Sequence, residues 1–414
     1  MKSCWRIGTV IDFSPDALHH CCTYTAAKYP DVLSFSGPKV CNFTGGPFPL
    51  EEYLHSIKEL NKLNNTDNPP CKDCDYLLDS PSVSNFTNIK IINVNNYKLC
   101  NVRCIYCTGD NNLEQFKNTY NLTETLQDML DRNIITTETI IGWGGGEPTL
   151  CKDLDSIIQF VIDNDLKLLL NTNATIYSEK IAYALSTDKI SLRISPDSGN
   201  AETYKRVKGK DFHKKVWENI AKYIAVNSNE VELKYVVMPE NWEKEDFILF
   251  AKKCISVDVQ KSIVIMPELT AFWQTDNCYP YIDKMIELSD ILTEYGLSPY
   301  IPDDAFNKSQ KDYLDYKINF RQKLSELEQA NNVITVLQTH VSGLETHVSG
   351  LESSNDAKAS YISELEISNN EKSYEQEQAH KYISELITQI NNYETSASWR
   401  ITKPFRRFKN FIKK

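Results

Sequence analysis

The sequence predicts an α/β fold, with helices outside a parallel sheet, a small N-terminal cysteine-rich module before it and a C-terminal helical coiled coil after it. Three observations predict it. Strand-like and helix-like segments alternate six times between about residue 88 and residue 300, cysteines cluster before residue 80, and apolar residues recur every seven positions beyond residue 308. Alternating β–α units of this kind make a parallel sheet covered by helices. The predicted domains are an auxiliary metal or iron–sulfur module over 1–80, a core over 85–305, a coiled coil over 308–393 and a basic amphipathic tail over 394–414.

The core elements follow from hydrophobic periodicity in chain order. Ile89–Val94 reads as the first strand and Leu122–Arg132 as the helix after it; Ile140–Trp143, a β-branched run bounded by glycine, is the second strand. A helix over Asp153–Asp163 and a strand over Leu166–Leu170 follow, then a helix near Glu179–Ala184 and a strand at Lys189–Ile194. The pattern continues with a helix at Lys214–Ala225, a strand at Val231–Val237 and a helix at Lys244–Lys253. Ser262–Met266 and Tyr281–Tyr295 are the last strand and helix. Beyond them, Leu327, Ile334, Val341, Val348, Ile362, Ile383 and Ile390 alternate with Leu337, Leu344, Leu351, Leu365 and Leu386 in heptad spacing, and the block Thr339–Glu345 repeats verbatim as Thr346–Glu352. β-Branched residues at the first core position with leucine at the second favour a parallel dimer, while Lys372 and Gln376 on the seam and Gly343 and Gly350 in the helix weaken it.

Composition narrows the function. With 414 residues and 41% hydrophobic content the chain can build one sizeable core. It shows no apolar run of transmembrane length and no basic-then-apolar leader, which predicts a cytoplasmic protein. Twelve cysteines in a reducing compartment point to metal or cluster ligands rather than disulfides. A net charge of −11 argues against nucleic acid as a partner. The last twenty residues nevertheless carry seven Lys or Arg and no acid, leaving −18 for the rest.

Two motifs carry chemistry. Cys100, Cys104 and Cys107 lie within eight residues directly after the first core strand. Iron–sulfur clusters are normally held by four thiolates, so a loop offering three leaves one iron open to bind a small molecule. A zinc site wants four ligands, and no fourth Cys or His follows closely. The second motif is Gly144-Gly145-Gly146-Glu147-Pro148 after the second strand, where backbone free of side chains can approach a ligand. A dinucleotide fingerprint is excluded because Glu147 stands where a third small residue is needed.

The Cys-x3-Cys-x2-Cys spacing with an aromatic before its last cysteine, followed by the Gly-Gly-Glu-Pro turn, resembles the radical S-adenosylmethionine (SAM) enzymes. That resemblance implies a partial (β/α)6 TIM-like barrel with its site at the C-terminal strand ends. It implies a catalytic [4Fe–4S] cluster on Cys100, Cys104 and Cys107, with the open iron chelating SAM. It also implies SAM contacts from Gly145, Gly146 and Glu147, from Asn171 and Asn173 at the end of the third strand, and from Arg193, Ser195 and Asp197 at the end of the fourth. Tyr106 would pack near the adenine. As bland alternatives, Asn171–Asn173 is a turn, Asp197 a helix cap and Tyr106 a core aromatic. The run from Arg193 to Gly209 is similar to the fourth unit of family members that act on peptides or sugars.

In the N-terminal module Cys4, Cys21 or Cys22, Cys71 and Cys74 can form a four-thiolate site, with Cys41 in reserve, for an auxiliary iron–sulfur cluster or zinc. Their order resembles SPASM or twitch modules, which usually follow the barrel rather than precede it. His19 and His20 are read as surface residues. After Pro404, Phe405, Phe408, Phe411 and Ile412 form an apolar stripe among Arg and Lys, the pattern of an interfacial anchor. The string from Ser396 to Pro404 resembles the ends of bacterial surface-polysaccharide proteins. The expected partners are a reductant such as flavodoxin or ferredoxin, a second chain through the coiled coil, and the inner-membrane surface with its glycan-assembly enzymes. A sugar or lipid-linked glycan and a peptide are the two expected substrate classes, and a membrane scaffold with an inactive barrel is the non-enzyme alternative.

Overall fold

The computed structural model describes residues 2–4, 6–20, 38–67, 69–71, 77–79, 86, 88–107, 120–269, 272, 277–302, 306, 308–351 and 358–395. The first compact unit, residues 1–307, holds a ten-stranded sheet and a small two-stranded one, in which Lys2–Ser3 pairs with Leu78–Asp79. Its elements in chain order are β1 (Lys2–Ser3), β2 (Val10–Phe13), β3 (Ala17–His19), β4 (Lys39–Asn42), α1 (Leu50–Leu63), β5 (Leu78–Asp79) and β6 (Ile91–Val94). The next are α2 (Leu122–Asp131), β7 (Ile140–Trp143), α3 (Leu154–Asp163), β8 (Lys167–Thr172), α4 (Glu179–Leu185) and β9 (Ile190–Ile194). The unit ends with α5 (Ala201–Lys208), α6 (His213–Val226), β10 (Val231–Val237), α7 (Lys244–Ser256), β11 (Ile263–Pro267), α8 (Tyr279–Glu294) and β12 (Pro299–Tyr300).

Ten strands pair in the order β12-β11-β10-β9-β8-β7-β6-β2-β3-β4, so β6 to β12 run consecutively and in parallel as the partial barrel requires. Alternation along each strand sorts its two faces. On β9 and β10, Ile190, Leu192, Ile194, Val231, Leu233 and Tyr235 are buried towards the helices. Arg193, Glu232 and Lys234 take the opposite face, with Arg193 paired across to Glu232 in register and by an ion pair. The outer face is therefore core and the inner face is polar. A barrel filled by its own side chains would carry apolar residues there; this one leaves its interior fit for a polar ligand.

Two elements differ from the expected pattern. The N-terminal segment is not confined to a module of its own: β2 pairs in parallel with β6 from Val10↔Ile91 to Phe13↔Val94, and β3 and β4 continue the sheet antiparallel. Parallel pairing across the intervening chain was invisible to a local reading, although Ile7–Phe13 is strand-like. The second is α5, which local periodicity left unassigned. Its start is fixed by Asn200, whose side chain accepts from Glu202 N and Thr203 N at 2.8 and 3.3 Å, and its end by Gly209 at φ 65°.

The second unit, from residue 308 onward, holds α9 (Lys308–Leu351) and α10 (Lys358–Thr395). Lys372 Nζ lies 2.9 Å from His340 Nδ1, and the Tyr382 hydroxyl donates to Glu326 at 3.4 Å. Partners descend along α9 as they ascend along α10, so the two helices are antiparallel. Of the predicted seam, Ile334, Leu365 and Leu386 are buried. The heptads that the sequence assigns to a parallel dimer are shared within one chain. Pairing between tethered segments is favoured by effective concentration, whereas a dimer must overcome the lysine on its seam.

Packing of the fourth unit is testable at Gly199. A Cβ there would stand 2.2 Å from both the carbonyl carbon and oxygen of Leu249 on α7. Gly199→Ala is expected to lower unfolding free energy by about 3 kcal/mol, the upper range for overpacking. A denaturant midpoint equal to wild type would show that the turn before α5 does not rest on α7.

Candidate functional site

The three cysteines sit on a loop that is clamped from both sides. On one side the Glu147 amide donates to Leu99 O at 2.8 Å. A Cβ on Gly145 would stand 2.7 Å from Tyr97 O, and one on Gly146, at φ 61°, 2.7 Å from Leu99 O. The glycines are thus required by the approach of the cysteine loop's own backbone, a reason that precedes any ligand. On the other side Arg103 N donates to Lys208 O at 2.9 Å and Ile105 N to Val207 O at 3.0 Å, so the loop rests on the last turn of α5. Cys107 N closes a turn onto Cys104 O at 3.0 Å. Upstream, Asn95 Nδ2 donates to the buried Asp12 carboxylate at 2.9 Å, which ties the loop's start to β2.

A buried ion pair fastens the middle of the loop. Lys208 is 2% exposed and Asp197 is fully buried, and the ammonium is bonded directly to the carboxylate. Tyr106, between the second and third cysteines, donates its hydroxyl to Asp197 Oδ2 at 2.6 Å and accepts from Lys208 Nζ at 2.7 Å. Asp197 Oδ1 accepts from Val236 N at 2.8 Å. Burial acts against the Lys208 charge, but the facing Asp197 outweighs it and holds the ammonium above the ordinary lysine range. Burial, then Asp197, raises the Tyr106 phenol well above its usual value. Asp197 holds φ 54°, a left-handed turn that lets both of its oxygens be used inward.

Glu147 is a second buried brace. It is 1% exposed, and its carboxylate accepts from Thr149 N at 3.1 Å and from Thr149 Oγ1, Thr172 Oγ1 and Asn173 N at 2.7 Å each. Burial outweighs these donors and holds the carboxyl above the ordinary glutamate range. Asn173 in turn reaches the cysteine loop, donating to Asn101 Oδ1 at 2.9 Å and to Cys100 Sγ at 3.7 Å. Asn171 donates to Trp143 O at 2.9 Å. Glu147, Asn173 and Asp197 are therefore bonded to protein groups, while Ser195 and Arg193 lie half-buried at the end of β9.

Residues that the sequence reading passed over complete the site. Lys208 belongs to a helix that local periodicity did not reveal. Lys234 lies on the inner face of β10, where burial lowers its pKa against the pull of Asp197. Its alternation with Glu232 and Val236 was the available signal.

The donor set fits an iron–sulfur cluster. Burial pushes the Cys100 thiol up to about 11 and raises Cys104, although the Lys208 ammonium pulls Cys104 the other way. Thiols desolvated in this way become thiolates when a metal replaces the proton. Among the described residues no three ligand side chains converge as a single zinc ion would need.

The auxiliary site stands differently. Cys4 and Cys71 are buried, Cys41 lies half-buried on β4, and Cys21, Cys22 and Cys74 fall outside the described residues. His20, expected at the surface, is 1% exposed and packs against Tyr53 at 5.4 Å between ring centres. Burial lowers its pKa to about 4, so it is a neutral core residue.

Comparison with known proteins decides the family of the core. Residues 94–251 match the radical SAM superfamily. The chain carries a radical SAM domain. Such a domain takes a [4Fe–4S] cluster and SAM as cofactors, and the matched span begins at the end of β6 and contains both motifs. An uncharacterised protein of Methanocaldococcus jannaschii is 33% identical over 125 residues, 29% of this chain and 39% of that protein. A Clostridium botulinum GTP 3′,8-cyclase is 24% identical over 161 residues, 37% of this chain and 50% of the cyclase. Mycofactocin maturase MftC of Mycolicibacterium smegmatis is 23% identical over 151 residues, 36% of this chain and 37% of the maturase. The chain thus spans half or less of these relatives. Among solved structures, SuiB of Streptococcus suis aligns with a TM-score of 0.42 at 15% identity, covering 67% of this chain and 59% of SuiB.

The Lys208 clamp yields a stability prediction. Lys208→Met leaves Asp197 buried without its cation and is expected to cost about 3–5 kcal/mol in denaturant unfolding. Replacing both, by Lys208→Met with Asp197→Leu, should recover part of that loss. Equal stability of the single variant and wild type would remove the ion pair from the loop's support.

Proposed function

We propose that this protein is an enzyme that reductively cleaves SAM and uses the resulting radical to abstract hydrogen from a substrate. One observation carries the reading: three thiols on one loop that carries no fourth cysteine, clamped at the C-terminal ends of parallel barrel strands. Cys100, Cys104 and Cys107 would hold the [4Fe–4S] cluster. When bound and reduced by an electron donor, that cluster supplies the electron that splits SAM to methionine and a 5′-deoxyadenosyl radical. The chain's own residues hold the cluster loop, orient SAM and exclude water.

Hydrogen bonding supports a division of roles among the proposed SAM contacts. Glu147 and Asp197 have their carboxylates engaged by protein donors, so they shape the site from behind. Asn173 and Asn171 act likewise, at Cys100 and at Trp143 O. Contact with SAM then falls to the backbone of Gly145 and Gly146, to Ser195 and Arg193 at the end of β9, and to the Tyr106 ring. The polar inner face with Arg193, Glu232 and Lys234 would receive the substrate.

For substrate we favour a sugar or lipid-linked glycan of envelope polysaccharide assembly. The support is the sequence of the tail, Ser398–Lys414, which lies outside the described residues and pairs aromatic with basic side chains. No described helix is long and apolar enough to cross a membrane, so attachment would be peripheral, through this tail. A peptide substrate is the second reading, favoured by the similarity to a mycofactocin maturase. Cys4, Cys21, Cys22, Cys71 and Cys74 remain the proposed auxiliary site, and two-chain association through α9 and α10 a proposed route to a dimer.

Anaerobically reconstituted protein is expected to form 5′-deoxyadenosine from SAM with a low-potential reductant, and Cys104→Ala to abolish it. Iron-loaded, reducible protein that forms none would sink the enzyme reading. Anionic vesicles are expected to sediment the full chain at low salt and to lose it when residues 395–414 are deleted. Equal binding to neutral vesicles, or no effect of deletion, would remove the support for a membrane-side glycan.

A further inference from the structure

Tyr204 on α5 carries a polar atom that the fold leaves unused. The residue is 1% exposed, and its hydroxyl is buried with no hydrogen-bond partner. A buried donor left unmade is expensive, because it has lost its water and gained nothing. Tyrosine is retained in cores where its hydroxyl finds a partner, and phenylalanine supplies the same ring otherwise.

The surroundings identify the missing partner. Tyr204 and Lys208 are one helical turn apart and share a face. Lys208 meets Tyr106 on the cysteine loop at 2.7 Å, and the loop amides of Arg103 and Ile105 bond to the last carbonyls of the same helix. The face carrying Tyr204 is therefore the one turned to the loop. The far side of the ring packs edge-on against His213 at 5.7 Å. The phenol interacts electrostatically with Lys208, Cys104, Asp197 and Cys100, and burial, the largest influence, keeps it protonated and hence a donor. Lys208 and Asp197 already bond each other and Tyr106. The other two groups that act on the phenol, Cys104 and Cys100, are the thiols whose sulfurs a bound cluster would carry.

We propose that the Tyr204 hydroxyl donates a hydrogen bond to a sulfur of the cluster held by Cys100, Cys104 and Cys107 and so raises its reduction potential. This rests on the reading of those cysteines as cluster ligands. Hydrogen bonds to cluster sulfurs are a recognised lever on potential. The physical reason is charge: the reduced cluster is one unit more negative, so a donor stabilises it more than the oxidised form. Tyr204 is a positioning and tuning residue, since it touches neither SAM nor substrate.

Tyr204→Phe removes the hydroxyl and keeps the ring. Metal-free variant is expected to be as stable as wild type or more so, since only an unpaired donor is lost. The reconstituted variant should bind as much iron, with its one-electron reduction equilibrium shifted about tenfold, or about 59 mV, to lower potential in an EPR-monitored titration. Tyr223→Phe is the control, because that hydroxyl has a protein partner, accepting from Ser178 N at 2.8 Å; it should lower stability without moving the potential. An unchanged potential in Tyr204→Phe, or a metal-free variant less stable than wild type, overturns the assignment. If wild type assembles no cluster, the proposed function fails with it; if wild type cleaves SAM and the two potentials agree, only the role of Tyr204 fails.

Discussion

The buried contact between Lys208 and Asp197 is the interaction on which the rest of the site depends. Withdrawing two charges from water is costly, and a buried pair repays this only when its remaining bonding capacity is used. Here it is used in a directed way. Tyr106 bridges both partners, Val236 N takes the second carboxylate oxygen, and Asn241 Nδ2 holds the Asp197 carbonyl at 3.0 Å. The pair joins the end of β9, the end of α5, the C-terminal end of β10 and the cysteine loop. A hydrophobic substitute of equal volume can match its stability but not this geometry, since only directional bonds fix where Tyr106 and hence Cys104 and Cys107 stand.

The opposite flank of the loop is held by close backbone contact. Gly145 and Gly146 admit Tyr97 O and Leu99 O to distances that a side chain would forbid. Glu147 then turns its buried carboxylate to β8 and reaches the loop again through Asn173. Two buried carboxylates, one on each side, thus organise a loop with little secondary structure of its own. A loop so constrained has its backbone fixed before any metal arrives, with Cys100 and Cys104 partly desolvated and Cys107 exposed. This preorganisation lowers the ordering cost of cofactor binding.

Around that centre the fold separates two tasks by strand alternation. On β9 and β10 the outward residues are buried and supply stability, while Ser191, Arg193, Glu232 and Lys234 on the other face are polar. The N-terminal strands add to the same sheet, and through Asp12 and Asn95 they steady the loop's entry. The paired helices of the second unit bury Ile334, Leu365 and Leu386, while Val333, Val336 and Ile367 are exposed.

Much was legible locally because it is encoded in spacing. The cysteine loop, the glycine turn, the six β–α repeats and the heptads are all short-range patterns, and the strand and helix periods place both motifs at strand ends without further information. What the sequence by itself determined is therefore the fold class, the cofactor type and the order of the elements. The tertiary structure decided what each residue does there. Glu147 and Asp197 are carboxylates in motifs, but only the packing shows that their oxygens are occupied by Thr149, Thr172, Asn173, Tyr106, Lys208 and Val236. Lys208 and Tyr204 lie about a hundred residues from the loop they support, on a helix too short to show a clear period, and β2 joins β6 across a long separation. Contacts of that range depend on the arrangement of the whole sheet, which no local window contains.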